Sequence, residues 1–309
     1  MSVRVAAVVA NWNGGEENLD CLRSLSRNGI APADIVFVDN GSTDGSLERV
    51  VAEFPRATVI LNASNLGFGE ASNQGARLAL ERGAGAVFFV NNDVVLPDGT
   101  LERLVRELEA HPTVGIVGPR VLYRDDPTKV WAAGGMLTWR ENLSTLVGHG
   151  ERDGQEFQTT CDVDYVAGCA LLARRDALEK VGLFDALYFA YMEDVDLCLR
   201  AKAAGFSVRR VGEVAALHAT SLATGGGYNP RRKWMMGVNS IWFLRRHAHA
   251  AQWVRFFAYD VLPLPFLALA GVFRGRAKAV IAKGLGIVDG LRGKRVTAEA
   301  IREGASWLW

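Results

Sequence analysis

IVFVDNGSTDGS, residues 35–46, decides the fold class: a short apolar run stops at Asp39 and gives way to a turn rich in glycine, serine and aspartate. A run this short, closed by turn residues, reads as a strand buried on both faces, as in a parallel sheet. The pattern recurs on either side. Upstream, residues 3–10 are a near-continuous valine and alanine run ending in the polar loop 11–15. Downstream, 58–61 and 86–90 are strand-like, and the second ends in Asn91-Asn92-Asp93. Residues 16–28 repeat apolar positions at Leu19, Leu22 and Leu25, and 43–54 and 69–82 also read as helices. Four βα units in a row predict a mostly parallel sheet flanked by helices.

After residue 112 the rhythm changes. Short β-like pieces at 115–117, 121–123 and 130–137 and a polar loop over 140–160 replace the alternation. Strand-like 165–173 leads to a short helix at 176–181 and a longer one over 193–204. From 229 onward the pattern is helical, with Pro263 and Pro265 expected to break it. The loop Thr224-Gly225-Gly226-Gly227 marks the expected boundary between a domain over 1–228, itself changing character at 112/113, and an extension over 229–309.

Composition bounds the function classes. A chain of 309 residues with 49% hydrophobic and 22% charged residues can bury a core and is neither disordered nor a coiled coil. Its four cysteines form no C-x-x-C pair, so no zinc ribbon or disulfide scaffold is indicated, and a reducing cytosol fits; Cys161 and Cys169 read as buried small hydrophobes. The opening apolar run stops at asparagines and reads as a first strand, not a signal peptide. The uncharged run 261–273 falls short of the roughly 20 residues that span a bilayer.

The net charge of +1 hides an asymmetry: from Arg231 to the end there are 14 Lys+Arg against 4 Asp+Glu, leaving 21 against 30 before it. Tryptophans interleave with these basic residues, a mixture suited to the headgroup layer of an anionic membrane. A solvated helical face on a core, or a helix pair that makes a homodimer, are the alternatives. Nucleic acid is not expected, because the main domain is acidic and carries no base-reading motif.

Ligands of open parallel sheets bind beyond the carboxyl ends of the strands. Here those ends carry Asn11 and Asn13, Asp39 and Asn40, and Asn91, Asn92 and Asp93. The loop after the first strand, NWNGGEEN, lacks G-x-G-x-x-G and any lysine or arginine, which argues against a dinucleotide and against a triphosphate-binding nucleotidyltransferase. Asp39 either accepts from a base or ribose, or caps the next helix. Glu193-Asp194 either cap a helix N-terminus or carry acid–base chemistry.

VVANWNG, FVDNGSTDGS, NLGFGEASNQGA and FFVNNDV, in this order, followed by GCALLARRDALEKVGLFDALYFAYMEDVDLCLRAKAAGF, resemble family 2 glycosyltransferases over residues 3–220. Among them the rhamnosyltransferase-like members are most similar. The resemblance implies an α/β fold of GT-A type, a mostly parallel Rossmann-like sheet flanked by helices, with a C-terminal helical extension. It implies inverting transfer of a sugar, rhamnose by the subfamily, from a TDP- or UDP-sugar to a hydroxyl of a glycan or lipid-linked acceptor, in the cytoplasm or on the inner face of the cell membrane.

Site roles follow from the same resemblance. Asp194 is the general base, and Glu193 and Asp196 bind acceptor or hold the helix. Asn11, Asn13, Asp39, Asn65, Gly67, Asn73 and Asn92 lie along the nucleotide, with Asp39 on the pyrimidine. Where the family has D-x-D this chain has Asn91-Asn92-Asp93, so a divalent cation, Mg²⁺ or Mn²⁺, rests on Asp93, His218 and substrate oxygens. The missing carboxylate leaves one rival, a sugar-nucleotide-binding protein without turnover.

Overall fold

The computed structural model describes residues 3–219 and 228–309; the loop Thr224-Gly225-Gly226-Gly227 lies outside them. Of the described residues, 3–136, 146–185 and 194–219 form one compact unit, and 137–145, 186–193 and 228–309 a second. The units are therefore not contiguous in sequence, as the expected division at 228/229 has them.

The first unit begins with the expected alternation: β1 (Val5–Asn11), α1 (Glu17–Arg27), β2 (Ile35–Asp39), α2 (Ser46–Glu53), β3 (Thr58–Leu61), α3 (Phe68–Glu81), β4 (Ala86–Asn91), a two-residue β5 (Val94–Val95) and α4 (Thr100–Ala110). β3, β2, β1 and β4 are neighbours in that order, all parallel. Their inward side chains, among them Val9, Phe37 and Phe88, are fully buried together with Leu22 and Leu25 of α1. That two-sided burial is why β1, β2 and β4 read as unbroken apolar runs, whereas β3, at the sheet's edge, is only half-buried and its Leu61 is exposed.

Then follow β6 (Val114–Tyr123), β7 (Val130–Ala132), β8 (Gly135–Leu137), β9 (Ser144–Leu146), β10 (Cys161–Asp162), β11 (Ala170–Arg174), α5 (Arg175–Val181), α6 (Glu193–Ala203) and β12 (Ser207–His218). The sheet continues beyond β4 through antiparallel β11 to β6, then to β12, which runs parallel to β6. β11 is shorter than the strand-like 165–173, because the Ala170 N–H bonds back to the Ala167 carbonyl and turns the chain there. Cys169 is buried as expected; Cys161 is exposed, since it lies on β10 at the sheet's edge.

The second unit is helical: α7 (Pro230–His247), α8 (Ala250–Phe256), α9 (Leu264–Val272), α10 (Ala277–Leu291) and α11 (Ala298–Ile301). Asn229 caps α7 by accepting from the N–H groups of Arg231 and Arg232. α7 and α10 approach to backbone contact: a Cβ on Gly286 would lie 2.2 Å from the Trp234 carbonyl oxygen, and one on Gly237 2.4 Å from that of Lys283. Phe189, Trp234, Met235, Val238 and Ala282 pack its core.

Pro263 and Pro265 mark an interruption of the α-helical ladder, as expected, with α9 restarting at Leu264, but the chain keeps its helical course through it. Residues 257–261 make a π turn in which the Leu262 N–H reaches the Phe257 carbonyl, and Leu262 and Pro263 keep right-handed helical angles. The wider turn accommodates prolines that cannot donate to an α-helical ladder. Ala250–Val272 is thus one stretch of 23 residues, long and apolar enough to cross a membrane by length and composition, where the sequence suggested a shorter run.

Candidate functional site

Register brings the strand ends together. Asn11 is paired with Asp39 across β1 and β2, and Ala10 with Asn91 across β1 and β4. The buried Asn11 amide organises this edge: its Nδ2 donates to Asp39 Oδ1 at 2.8 Å and to the Ser42 and Ser46 hydroxyls at 3.0 Å. Its Oδ1 accepts from Gly14 N–H at 3.1 Å and from Asn92 Nδ2 at 2.9 Å. No side chain fits at residue 14, where a Cβ would fall 1.9 Å from Asn92 Nδ2.

Asp39 also accepts from the Ser42 N–H at 3.0 Å, an Asx-type turn that steers the chain towards α2. Each of its oxygens keeps acceptor capacity. Asn13, at φ 53°, accepts from the Thr43 N–H at 2.8 Å, tying the loop after β1 to that after β2. Asn65 accepts from the Gly67 N–H at 2.8 Å, and Gly67, at φ 87°, opens α3 in a conformation that favours glycine. Asn73 is differently placed: its Nδ2 donates to the Phe184 carbonyl at 2.8 Å and its Oδ1 accepts from the Phe184 N–H at 3.0 Å, so its amide clamps the 184 backbone to α3. Sequence reasoning weighed Ser42 only as a helix cap beside Asp39 and missed Ser46; the hydroxyls of the GSTDGS turn were the available signal.

Asp93 and His218 meet across a second junction. β5 and the end of β12 pair antiparallel, with His218 opposite Val94, and the Ala219 N–H bonds the Asp93 carbonyl at 3.0 Å. This sets His218 Nε2 3.3 Å from Asp93 Oδ1. Among the described residues neither atom has a hydrogen-bond partner of good geometry, nor has His218 Nδ1, although His218 is buried. The Trp131 ring stands edge-on to the imidazole with centroids 4.6 Å apart. Buried polar atoms left in this state call for an explanation. A nitrogen and a carboxylate oxygen facing one another with open lone pairs fit a divalent cation that takes its other ligands from substrate. Among the described residues no group of three or more His, Cys, Asp and Glu could hold a metal by itself.

Asp194 stands at the start of α6. Its Oδ2 accepts from the Gly168 N–H at 2.8 Å and its Oδ1 from its neighbour Val195 at 2.8 Å. Burial pushes the carboxyl above its ordinary value, against the pull of those N–H groups. Asp196 is fully buried and bonded to Arg200 one turn on at 2.7 Å, while Arg200 also caps the carbonyls of Val181 and Leu183. That arrangement ties α6 to the end of α5. Glu193 is buried and belongs to the second unit. In that unit Asn239 of α7, also buried, donates to the carbonyls of Ala190 and Tyr191 at 2.8 and 2.9 Å. It braces a segment in which Tyr191 and Met192 both hold left-handed angles, φ 73° and 78°.

Residues 7–182 match the family described as Glycosyl transferase family 2. The chain is 32% identical over 240 residues to N-acetylglucosaminyl-diphospho-decaprenol L-rhamnosyltransferase of Mycobacterium tuberculosis, covering 71% of this chain and 76% of that one. It is 24% identical over 223 residues to the dTDP-rhamnosyl transferase RfbF of Shigella flexneri, covering 71% and 70%. Among solved structures, mannosyltransferase PcManGT from Pyrobaculum calidifontis, in complex with GDP-Man and Mn²⁺, shares the fold with a TM-score of 0.59 at 18% identity, covering 96% of this chain and 89% of that one.

Proposed function

The chain belongs to glycosyltransferase family 2 and is a glycosyltransferase, and from that premise we propose that it transfers rhamnose, with inversion, from a TDP- or UDP-sugar to a hydroxyl of a lipid-linked glycan in cell-envelope polysaccharide synthesis. The donor sugar and acceptor follow the names of the relatives, one a dTDP-rhamnosyl transferase and another acting on a diphospho-decaprenol-linked sugar. The observation that supports the reading is the Asp93–His218 pair, in which Asp93 follows the polar end of β4 in the parallel sheet.

Asp194 takes the acceptor proton as the hydroxyl oxygen attacks the anomeric carbon and the nucleoside diphosphate leaves. A base must be ionised and within hydrogen-bond reach, and the Asp194 oxygens retain lone pairs beside the N–H bonds they accept. One displacement inverts the anomeric centre and needs no covalent intermediate. Asp39, fixed by Asn11 and Ser42, offers its free lone pairs to the pyrimidine N–H. Asn13, Asn65, Gly67 and Asn92 shape the base and ribose contacts, and Asn73 supports them through Phe184. Glu193 faces acceptor, and Asp196 holds α6. Asp93 and His218 would hold the divalent cation, Mg²⁺ or Mn²⁺, which supplies charge neutralisation on the leaving diphosphate.

Residues 1–228 carry this chemistry, and 229–309 make peripheral contact with the inner face of the cell membrane. The test is a panel of nucleoside diphosphates with and without Mn²⁺, read by thermal shift, followed by turnover with TDP-rhamnose and a polyprenyl-diphosphate-linked acceptor. Stabilisation by TDP or UDP that grows with Mn²⁺, with transfer lost in Asp194→Asn, supports it. Binding without turnover in the wild-type chain moves the reading to a sugar-nucleotide-binding protein, the rival that Asn91 in place of a carboxylate suggests.

A further inference from the structure

The second unit contains a cleft of about 90 Å³ with a cationic wall and an apolar floor. Lys233 from α7, Arg274 and Arg276 from the turn between α9 and α10, and Lys283 from α10 line it, with Leu264 and Leu267 of α9 beneath. Lys283 is buried and satisfied: it donates to Asp260 and, at 2.9 Å, to Asn142 Oδ1. The other three cations are not matched. Among the described residues none of them is in an ion pair, Lys233 and Arg276 stack on the Tyr228 ring at 5.2 and 4.3 Å, and Glu141 is the remaining carboxylate of the wall. Burial and the neighbouring Lys283 hold the Lys233 ammonium below the usual lysine range, as expected of cations gathered without enough anions.

Beside the cleft lies the apolar stretch Ala250–Val272, little of which is buried. Leu262, Phe266, Leu269 and Phe273 recur at spacings of four, three and four, which puts them on one face, and Phe266 and Phe273 are 73% and 89% exposed. The opposite face is fixed to the unit. Asp260 is held by Lys283, and Gly271 packs so closely on α10 that a Cβ there would lie 2.9 Å from the Ala277 nitrogen. A helix pinned along one side, apolar on the other and flanked by Arg255, Arg274 and Lys278 suits the plane of a membrane interface rather than a crossing of it.

We propose that this cleft seats the phosphate of an anionic bilayer lipid while the Leu262–Phe273 stripe enters the acyl layer. The proposal rests on the peripheral contact assigned above to residues 229–309 and adds to it a specific headgroup site. Charge complementarity selects the occupant: three cations without an ion pair among the described residues stand around a small cleft that opens beside an exposed apolar stripe.

The experiment is co-sedimentation of the full chain with vesicles of phosphatidylcholine alone or with phosphatidylglycerol, for the wild type, Lys233→Gln/Arg276→Gln, and Phe266→Ser/Leu269→Ser. Far-ultraviolet circular dichroism verifies folding, and Arg276→Gln alone serves if the double variant is unstable. The headgroup pair should weaken partitioning to anionic vesicles roughly 30-fold, from about fivefold per basic residue, and leave neutral vesicles unaffected. The stripe variant should lose affinity for both. Retention of anionic binding by the headgroup pair overturns the cleft while the membrane contact stands; absence of binding to either vesicle overturns both. Stabilisation of the wild type by inorganic phosphate alone, lost in the headgroup pair and without preference for anionic vesicles, assigns the cleft to soluble phosphate and overturns the lipid. All these readouts are binding, so they stand apart from sugar transfer.

Discussion

His218 Nε2 lies 3.3 Å from Asp93 Oδ1 with no hydrogen bond of good geometry between them. The two residues are 125 positions apart in sequence. Antiparallel pairing of β5 with the end of β12 joins them. Neither residue alone suggests a metal ligand over a structural side chain; the proposal that they hold a cation rests on their facing one another.

His218→Ala and Asp93→Asn should therefore each weaken Mn²⁺ binding in the presence of nucleoside diphosphate by at least about tenfold, the order seen when metal shells are disturbed. Calorimetric titration of Mn²⁺ reads this directly, and chelation by EDTA should abolish transfer in the wild type. An unchanged Mn²⁺ affinity in both variants removes the metal from this site.

Asp196→Ala tests whether that carboxylate braces α6 or touches acceptor. It is fully buried and paired with Arg200 at 2.7 Å, so removing it leaves a largely buried guanidinium without its counter-charge. Breaking such a pair costs about 3–5 kcal/mol. Denaturant unfolding should show a loss of that order, partly offset by the carbonyls of Val181 and Leu183. A variant of unaltered stability whose acceptor KM alone rises would return Asp196 to the acceptor.

The parallel half of the fold was legible because β1, β2 and β4 are buried on both faces and end abruptly in polar residues, a pattern visible in single segments such as 35–46. The candidate site could be placed from the sequence only as a set of strand ends. Its wiring could not be read there: Asn11 reaches Ser42 and Ser46 through strand register, which adjacent residues do not encode. The Asp196–Arg200 pair was readable from its i,i+4 spacing, yet its complete burial follows from tertiary packing. Pro263 and Pro265 marked the interruption between α8 and α9, but not that a π turn before them keeps the chain on a helical course.

Asn11→Ala should destabilise the chain rather than only weaken donor binding. It removes three donated and two accepted bonds at a buried position and strips Asp39 of one of its two donors. Leaving buried polar partners unsatisfied costs about 1–3 kcal/mol each at most, and the loosened 42–46 turn can recover some of it with water. A fall of about 2–4 kcal/mol in unfolding free energy, accompanied by weaker TDP or UDP binding, is the expected result. Unaltered stability would mean that the edge is not organised through this amide.

Asp194→Asn should lower kcat by about 10²–10⁴ while the donor dissociation constant is unaffected, the range for a lost general base. The pH profile carries a sharper test. Burial raises the Asp194 pKa, so the carboxyl is protonated and inactive at low pH, and kcat/KM climbs as pH rises through a value above the ordinary aspartate figure of about 3.9. Gly168→Ala then moves that limb. A Cβ at 168 would approach Asp194 Cβ to 3.1 Å and Oδ2 to 3.4 Å, displacing the carboxylate from the N–H that favours its charged form. Weakening that bond raises the pKa further, so the acidic limb of Gly168→Ala should shift to higher pH while activity on its plateau persists. A merely structural Asp194 would give neither the limb nor its displacement, and a Gly168→Ala profile superimposable on the wild type would remove Asp194 from the role of base.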